Sequence, residues 1–134
     1  MIAQHTMRRR VQFYETDAAG MVHFTSYFRY MEEAEHALWR ELGLSIAPEG
    51  SEIGFPRISA SFEYRRPLHF EQEIDVTIRV VSISARTIDY ACEITRDGTS
   101  VATGAIRIAC VSKRPGEPIK STAIPAEIVE RFRR

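Results

Sequence analysis

TSYFRYMEEAEHALWRELG, residues Thr25–Gly43, is the stretch that decides the fold. Its apolar positions Tyr27, Met31, Ala34, Leu38 and Leu42 recur at the three- and four-residue spacing of one helical face, and Gly43 follows as a C-terminal stop. The spacing predicts one long helix over 25–42. Phe28, Tyr30, Ala37 and Trp39 widen the apolar stripe well beyond a narrow seam, so this helix is expected to be enclosed on more than one side. Glu32, Glu33, Arg40 and Glu41 occupy the remainder.

Upstream, residues 8–14 read as a short strand with Val11 and Phe13 on one face, running into the turn-forming Glu15–Gly20. Downstream, Ala47–Pro56 reads as a loop, after which period-two alternation takes over. Ile58, Ala60, Phe62 and Tyr64 form one apolar face, Ile74, Val76, Ile78 and Val80 a second, and Ile88, Tyr90, Cys92 and Ile94 a third. Asp97-Gly98 supplies the two positive-φ positions of a tight hairpin before a strand over Ser100–Val111. Pro115, Gly116 and Pro118 break the pattern, and Pro125–Phe132 predicts a short terminal helix.

Strand, long helix, then four long strands is an α+β order, with the helix against one face of a meander-like antiparallel sheet. A helix of about 18 residues spans roughly 27 Å and strands of about 10 residues roughly 33 Å, so one curved sheet can wrap one helix lengthwise. The two open edges of such a sheet predict a homodimer, with a larger symmetric assembly such as a dimer of dimers left open.

The chain has 134 residues, 44% apolar and 27% charged, which fits a single domain over 1–134 with a substantial core. Eighteen Lys plus Arg balance eighteen Asp plus Glu, which argues against nucleic acid or an anionic membrane face as the principal partner. No apolar run of signal-peptide length precedes Arg8-Arg9-Arg10, and none of about 18 residues occurs anywhere, so a soluble cytoplasmic protein is expected. The three arginines read as exposed residues blunting an edge strand. Cys92 and Cys110 stand alone in strand-like segments and read as buried, reduced packing residues. His5, His23, His36 and His69 lack metal-ligand spacing, and the nucleophile-elbow, phosphate-loop, H-E-x-x-H and C-x-x-C signatures are absent, so neither metal nor cofactor is expected.

Chemistry concentrates in Tyr14-Glu15-Thr16-Asp17-Ala18-Ala19-Gly20-Met21-Val22-His23-Phe24-Thr25-Ser26-Tyr27, which joins the first strand to the helix. A helix's first turn has unpaired N–H groups and partial positive charge, so a carbonyl placed against the N–H of His23 or Phe24 would be polarised. Asp17, just before that turn, is a candidate to attack it or to activate a water. Alone, an Asp in a Gly-containing turn is most simply a turn residue.

The whole segment resembles the active-site motif of the 4-hydroxybenzoyl-CoA thioesterase family, hotdog-fold acyl-CoA thioesterases that include the Tol-Pal-associated members. The matching residues are Tyr14, Asp17, Gly20, Met21, Val22 and Tyr27, and the order of elements extends the resemblance over nearly the whole chain. The resemblance implies a hotdog fold, a long central helix wrapped by a five-stranded antiparallel sheet, with Asp17 as nucleophile or general base. It also implies a carbonyl-polarising backbone N–H at Phe24 and a site at a dimer interface. His23 departs from the Tyr or Trp of many relatives and is a candidate proton donor or packing residue. Tyr27, Val22 and Gly20 are the candidate substrate-side residues, although helical spacing alone explains Tyr27 and a turn explains Gly20. Arg86, Lys113 and Arg114, basic residues near strand ends, are the candidates for the coenzyme's phosphates. Glu32, Glu33 and Glu35 lack the His-Gly-Gly loop of the hotdog group that uses a helix Glu. The function so implied is hydrolysis of an acyl-CoA to free acid and coenzyme A, the acyl group being open. The competing class is a noncatalytic acyl-CoA or acyl-carrier-protein binding module on the same fold.

Overall fold

A computed structural model of the chain describes residues 2–134. The predicted helix is α1, Ser26–Glu41, whose buried residues Tyr27, Tyr30, Met31, Ala34, Glu35, Leu38 and Trp39 repeat every three and four positions. Phe28 and Ala37 are half-buried, so the helix is covered well beyond one seam. Its end is a Schellman motif: Gly43 N–H donates to Arg40 O at 2.9 Å and Leu44 N–H to Trp39 O at 2.9 Å.

The strands around it are β1 (Gln4–Arg10), β3 (Arg57–Tyr64), β4 (Glu73–Ile83), β5 (Thr87–Arg96) and β6 (Thr99–Ala109), with β2 (Ile53–Gly54) between helix and β3. The five long strands form one antiparallel sheet in the order β1-β4-β5-β6-β3. Only β4-β5-β6 is a meander; the first and second long strands of the chain close the sheet at its two edges. Asp97 (φ 51°) and Gly98 (φ 79°) make the expected turn between β5 and β6. The alternating residues Ile74, Val76, Ile78 and Val80 on β4 and Ile88, Tyr90, Cys92 and Ile94 on β5 are all buried beneath the helix. Cys92 and Cys110 are free and buried.

Several expectations are corrected. The first strand ends at Arg10 rather than 14, because Glu15 N–H bonds back to Gln12 O at 3.0 Å and winds Phe13–Glu15 into a 3-10 turn. Phe13 is therefore 72% exposed while Val11 is buried. Arg8 and Arg10 do lie outward against Glu73, both at 2.6 Å, but strand alternation turns Arg9 inward. The loop over 47–56 contains β2, which pairs with β7 (Val111–Ser112), itself paired with β8 (Lys120–Ser121) in a small second sheet. The last long strand accordingly stops at Ala109. The terminal helix, α2 (Ala126–Phe132), begins one residue after Pro125 and stacks Phe132 edge-on against Trp39 at 5.0 Å.

The helix does not cover the whole sheet. On β3, Tyr64 is 44% exposed and Ala60 is also exposed, although they pair with the buried Ala102 and Ile106 of the neighbouring β6, and Ile58, at an irregularity in the register, is 54% exposed. A gap of about 370 Å³ lies between β3 and α1, bounded by Phe28, Glu32, Arg57 and Ala60.

Candidate active site

Asp17 sits in a small closed loop. Thr16 and Val22 pair as an antiparallel bridge, Asp17 N–H donates to Met21 O at 2.7 Å, and Gly20 N–H donates to Asp17 O at 3.0 Å. Gly20 takes φ +82°, a conformation open to glycine without strain, with nothing within 4 Å of where a Cβ would stand. The loop is seated on the segment before β4, where Val22 N–H donates to Leu68 O at 2.8 Å and Met21 bridges His69. Asp17 Oδ1 accepts from Ala19 N–H at 2.9 Å and Met21 N–H at 3.2 Å. Its other oxygen has no hydrogen-bond partner among the described residues.

Nine residues after Asp17 the chain enters α1 at Ser26. His23 N–H donates to Glu15 O at 2.8 Å, whereas Phe24 N–H has no acceptor among the described residues. The Phe24 carbonyl accepts from the Tyr64 hydroxyl at 3.0 Å, so β3 fixes the orientation of this residue. Tyr27 is buried and meets Tyr64 edge-to-face at 4.8 Å. Burial, reinforced by Tyr64, pushes the Tyr27 phenol up to about 12, which keeps it protonated at neutral pH. Asp17, Val22, Phe24 and Tyr27 come together with Tyr64 in one groove of about 330 Å³, which Arg65 and Arg66 also line.

His23 lies outside that lining and stacks on Phe24 at 4.7 Å with its Nδ1 accepting from Thr25 N–H at 3.2 Å. Arg86, Lys113 and Arg114 cluster elsewhere, around the small sheet: Arg86 donates to Ser121 Oγ at 3.2 Å and Arg114 pairs with Glu52 at 3.0 Å. Arg65 and Arg66 are the basic residues that line the groove. Sequence reasoning did not single them out, nor Tyr64; the signal available for Tyr64 was an aromatic on the apolar alternation at the strand end nearest Arg65. Among the helix carboxylates, Glu35 is fully buried and held by Arg57, with desolvation pushing it up against the pull of that guanidinium. Among the described residues, no three His, Cys, Asp or Glu side chains are grouped to hold a metal ion, and no helix is long and apolar enough to cross a membrane.

Residues 11–132 match the model of the thioesterase-like superfamily. A protein of Aquifex aeolicus (strain VF5), provisionally named an esterase, is 33% identical over 126 residues, covering 92% of this chain and 93% of its own. The 1,4-dihydroxy-2-naphthoyl-CoA hydrolase of Prochlorococcus marinus (strain MIT 9303) is 30% identical over 100 residues, covering 65% of this chain and 66% of its own. The crystal structure of a hypothetical protein from Aquifex aeolicus superposes with a TM-score of 0.88 at 30% identity, covering 96% and 98% of the two chains.

Proposed function

This chain belongs to the thioesterase-like superfamily, and from that membership we propose that it hydrolyses an acyl-CoA thioester to the free acid and coenzyme A. The observation that carries the reading is the meeting, in one groove, of a carboxylate oxygen of Asp17 and the backbone N–H of Phe24, both without a hydrogen-bond partner among the described residues. A thioester carbonyl donated to by Phe24 N–H at the start of α1 is stabilised as its oxygen gains charge. The free oxygen of Asp17 either attacks the carbonyl carbon, giving an acyl anhydride that water then cleaves, or takes a proton from the attacking water. In both routes the C–S bond breaks to a thiolate whose parent thiol has a pKa near ~8.5, so a general acid is not compulsory. Arg65 and Arg66 line this groove and are the proposed partners of the coenzyme's anionic groups, whereas Arg86, Lys113 and Arg114 do not line it.

Phe24, Tyr27 and Tyr64 give the groove an aromatic wall, which favours a planar aromatic acyl group, the class for which the Prochlorococcus relative is named. A homodimer through the β3 edge would cover the gap beside α1, and a cytoplasmic acyl-CoA pool is the setting this reading implies.

The test is thiol release from aromatic and aliphatic acyl-CoAs by wild type and Asp17→Asn. Wild type should release thiol, fastest from aromatic substrates, and the variant should fold yet lose about 10²–10⁴-fold in kcat. Near wild-type turnover by Asp17→Asn would overturn its role. Acyl-CoA binding with no thiol release by wild type would replace hydrolysis with a binding function.

A further inference from the structure

We infer that Glu15 is a positioning residue that registers the Asp17 loop against the Phe24 amide; the inference rests on the hydrolase reading for its kinetic arm. Glu15 is only 6% exposed, and burying an ionised carboxylate is costly unless its oxygens are fully engaged. Here they are. Oε1 accepts from Gln12 N–H at 2.8 Å and the Tyr30 hydroxyl at 2.8 Å, and Oε2 accepts from Arg9 Nη2 at 2.5 Å. These donors come from three different places, the turn before the loop, the second turn of α1, and β1. Arg9 in turn reaches Glu33 on α1 at 2.8 Å and lies over the Tyr30 ring at 5.0 Å.

The backbone of the same residue completes the link. Glu15 O accepts from His23 N–H at 2.8 Å and Ser26 Oγ at 3.2 Å, the residues on either side of Phe24 and Thr25. Two residues after Glu15 stands Asp17, and among the described residues no hydrogen bond joins Asp17 to Phe24 directly. The two halves of the proposed site are thus held in register through Glu15: its side chain ties the loop's entry to β1 and α1, while its carbonyl ties that entry to the residues flanking the Phe24 amide. A shift of about 1 Å between carboxylate and oxyanion donor can cost as much as ~10²-fold in rate, so such a clamp is felt in turnover.

Glu15→Gln keeps the shape but turns an amide N–H₂ toward donors and removes the charge facing Arg9. The expected result is a kcat lowered by roughly 10–100-fold with KM within about twofold, together with faster amide hydrogen exchange at Met21 and His23. Ile88→Val, a fully buried core change near the start of β5, serves as the stability control; it should lower the unfolding midpoint without changing kcat or those two amides. If Glu15→Gln fails to fold, Tyr30→Phe, which removes a single bond to Oε1, is read in the same way. Unchanged kcat and unchanged exchange at Met21 and His23 would overturn the inference, as would an equal kcat loss in the Ile88→Val control. Should wild type release no thiol from any acyl-CoA, the hydrolase reading is what fails. The exchange measurement then decides on Glu15 alone, with loss of protection supporting the clamp and retention overturning it.

Discussion

At Gly20 a single backbone angle carries the loop that presents Asp17. Its φ of +82° with open space around the position means that a substitution there is penalised through the backbone and not through a clash. Gly20→Ala should therefore lower stability by about 1–2 kcal/mol, read by urea unfolding, and Gly20→Asn should lie closer to wild type because Asn tolerates the left-handed region better. Equal losses for Ala and Asn would place the cause in side-chain crowding instead. The same residue-scale logic separates the arginines of β1. Arg8 and Arg10 are surface ion pairs with Glu73, of the kind worth little in water, while Arg9 is 17% exposed and belongs to the network around Glu15. The triple-arginine run disguised that difference, since only strand register shows which of three adjacent side chains points in.

At the scale of elements, α1 is held by both its stripe and a few polar ties. Trp39 Nε1–H donates to the Tyr90 hydroxyl at 2.9 Å, joining helix to the middle of β5 inside the core. Tyr90→Phe leaves that indole N–H buried without an acceptor, so it should cost about 1–3 kcal/mol despite the near-identical shape, measured as a shift in denaturant midpoint at constant slope. A neutral outcome would mean that the indole finds another partner. The helix was legible because Thr25–Leu42 combines a full apolar stripe with a glycine stop, and both act locally. The 3-10 turn at Phe13–Glu15 was not, because Phe13 continues the strand alternation of Val11 while the Glu15 bond to Gln12 interrupts it. The two-residue strands β2, β7 and β8 leave too short a period to be seen; pairing with segments far along the chain defines them.

For the molecule as a whole, the uncovered β3 edge of the sheet is the main clue to assembly. β3 ends the sheet with Ile58 and Tyr64 exposed, and the gap beside α1 lies next to it. The proposed dimer predicts that wild type sediments as a dimer and that Ile58→Lys, a charge placed in that edge, shifts it toward monomer; a monomeric wild type would remove the proposal. Local physics determined a great deal of this protein from the chain alone. Helical spacing, period-two alternation and the Asp97-Gly98 turn depend on neighbours a few residues apart, and the run from Tyr14 to Tyr27 is contiguous, so the helix, the four long strands after it, the α+β class and the family resemblance could be read in order. What only the tertiary structure decided depends on contacts between residues distant along the chain. The β1-β4-β5-β6-β3 order brings Tyr64 to the Phe24 carbonyl and Arg65 and Arg66 to the Asp17 groove. It also turns Arg9 onto Glu15, and in each case the partner is chosen by sheet register and helix placement, which no local pattern encodes.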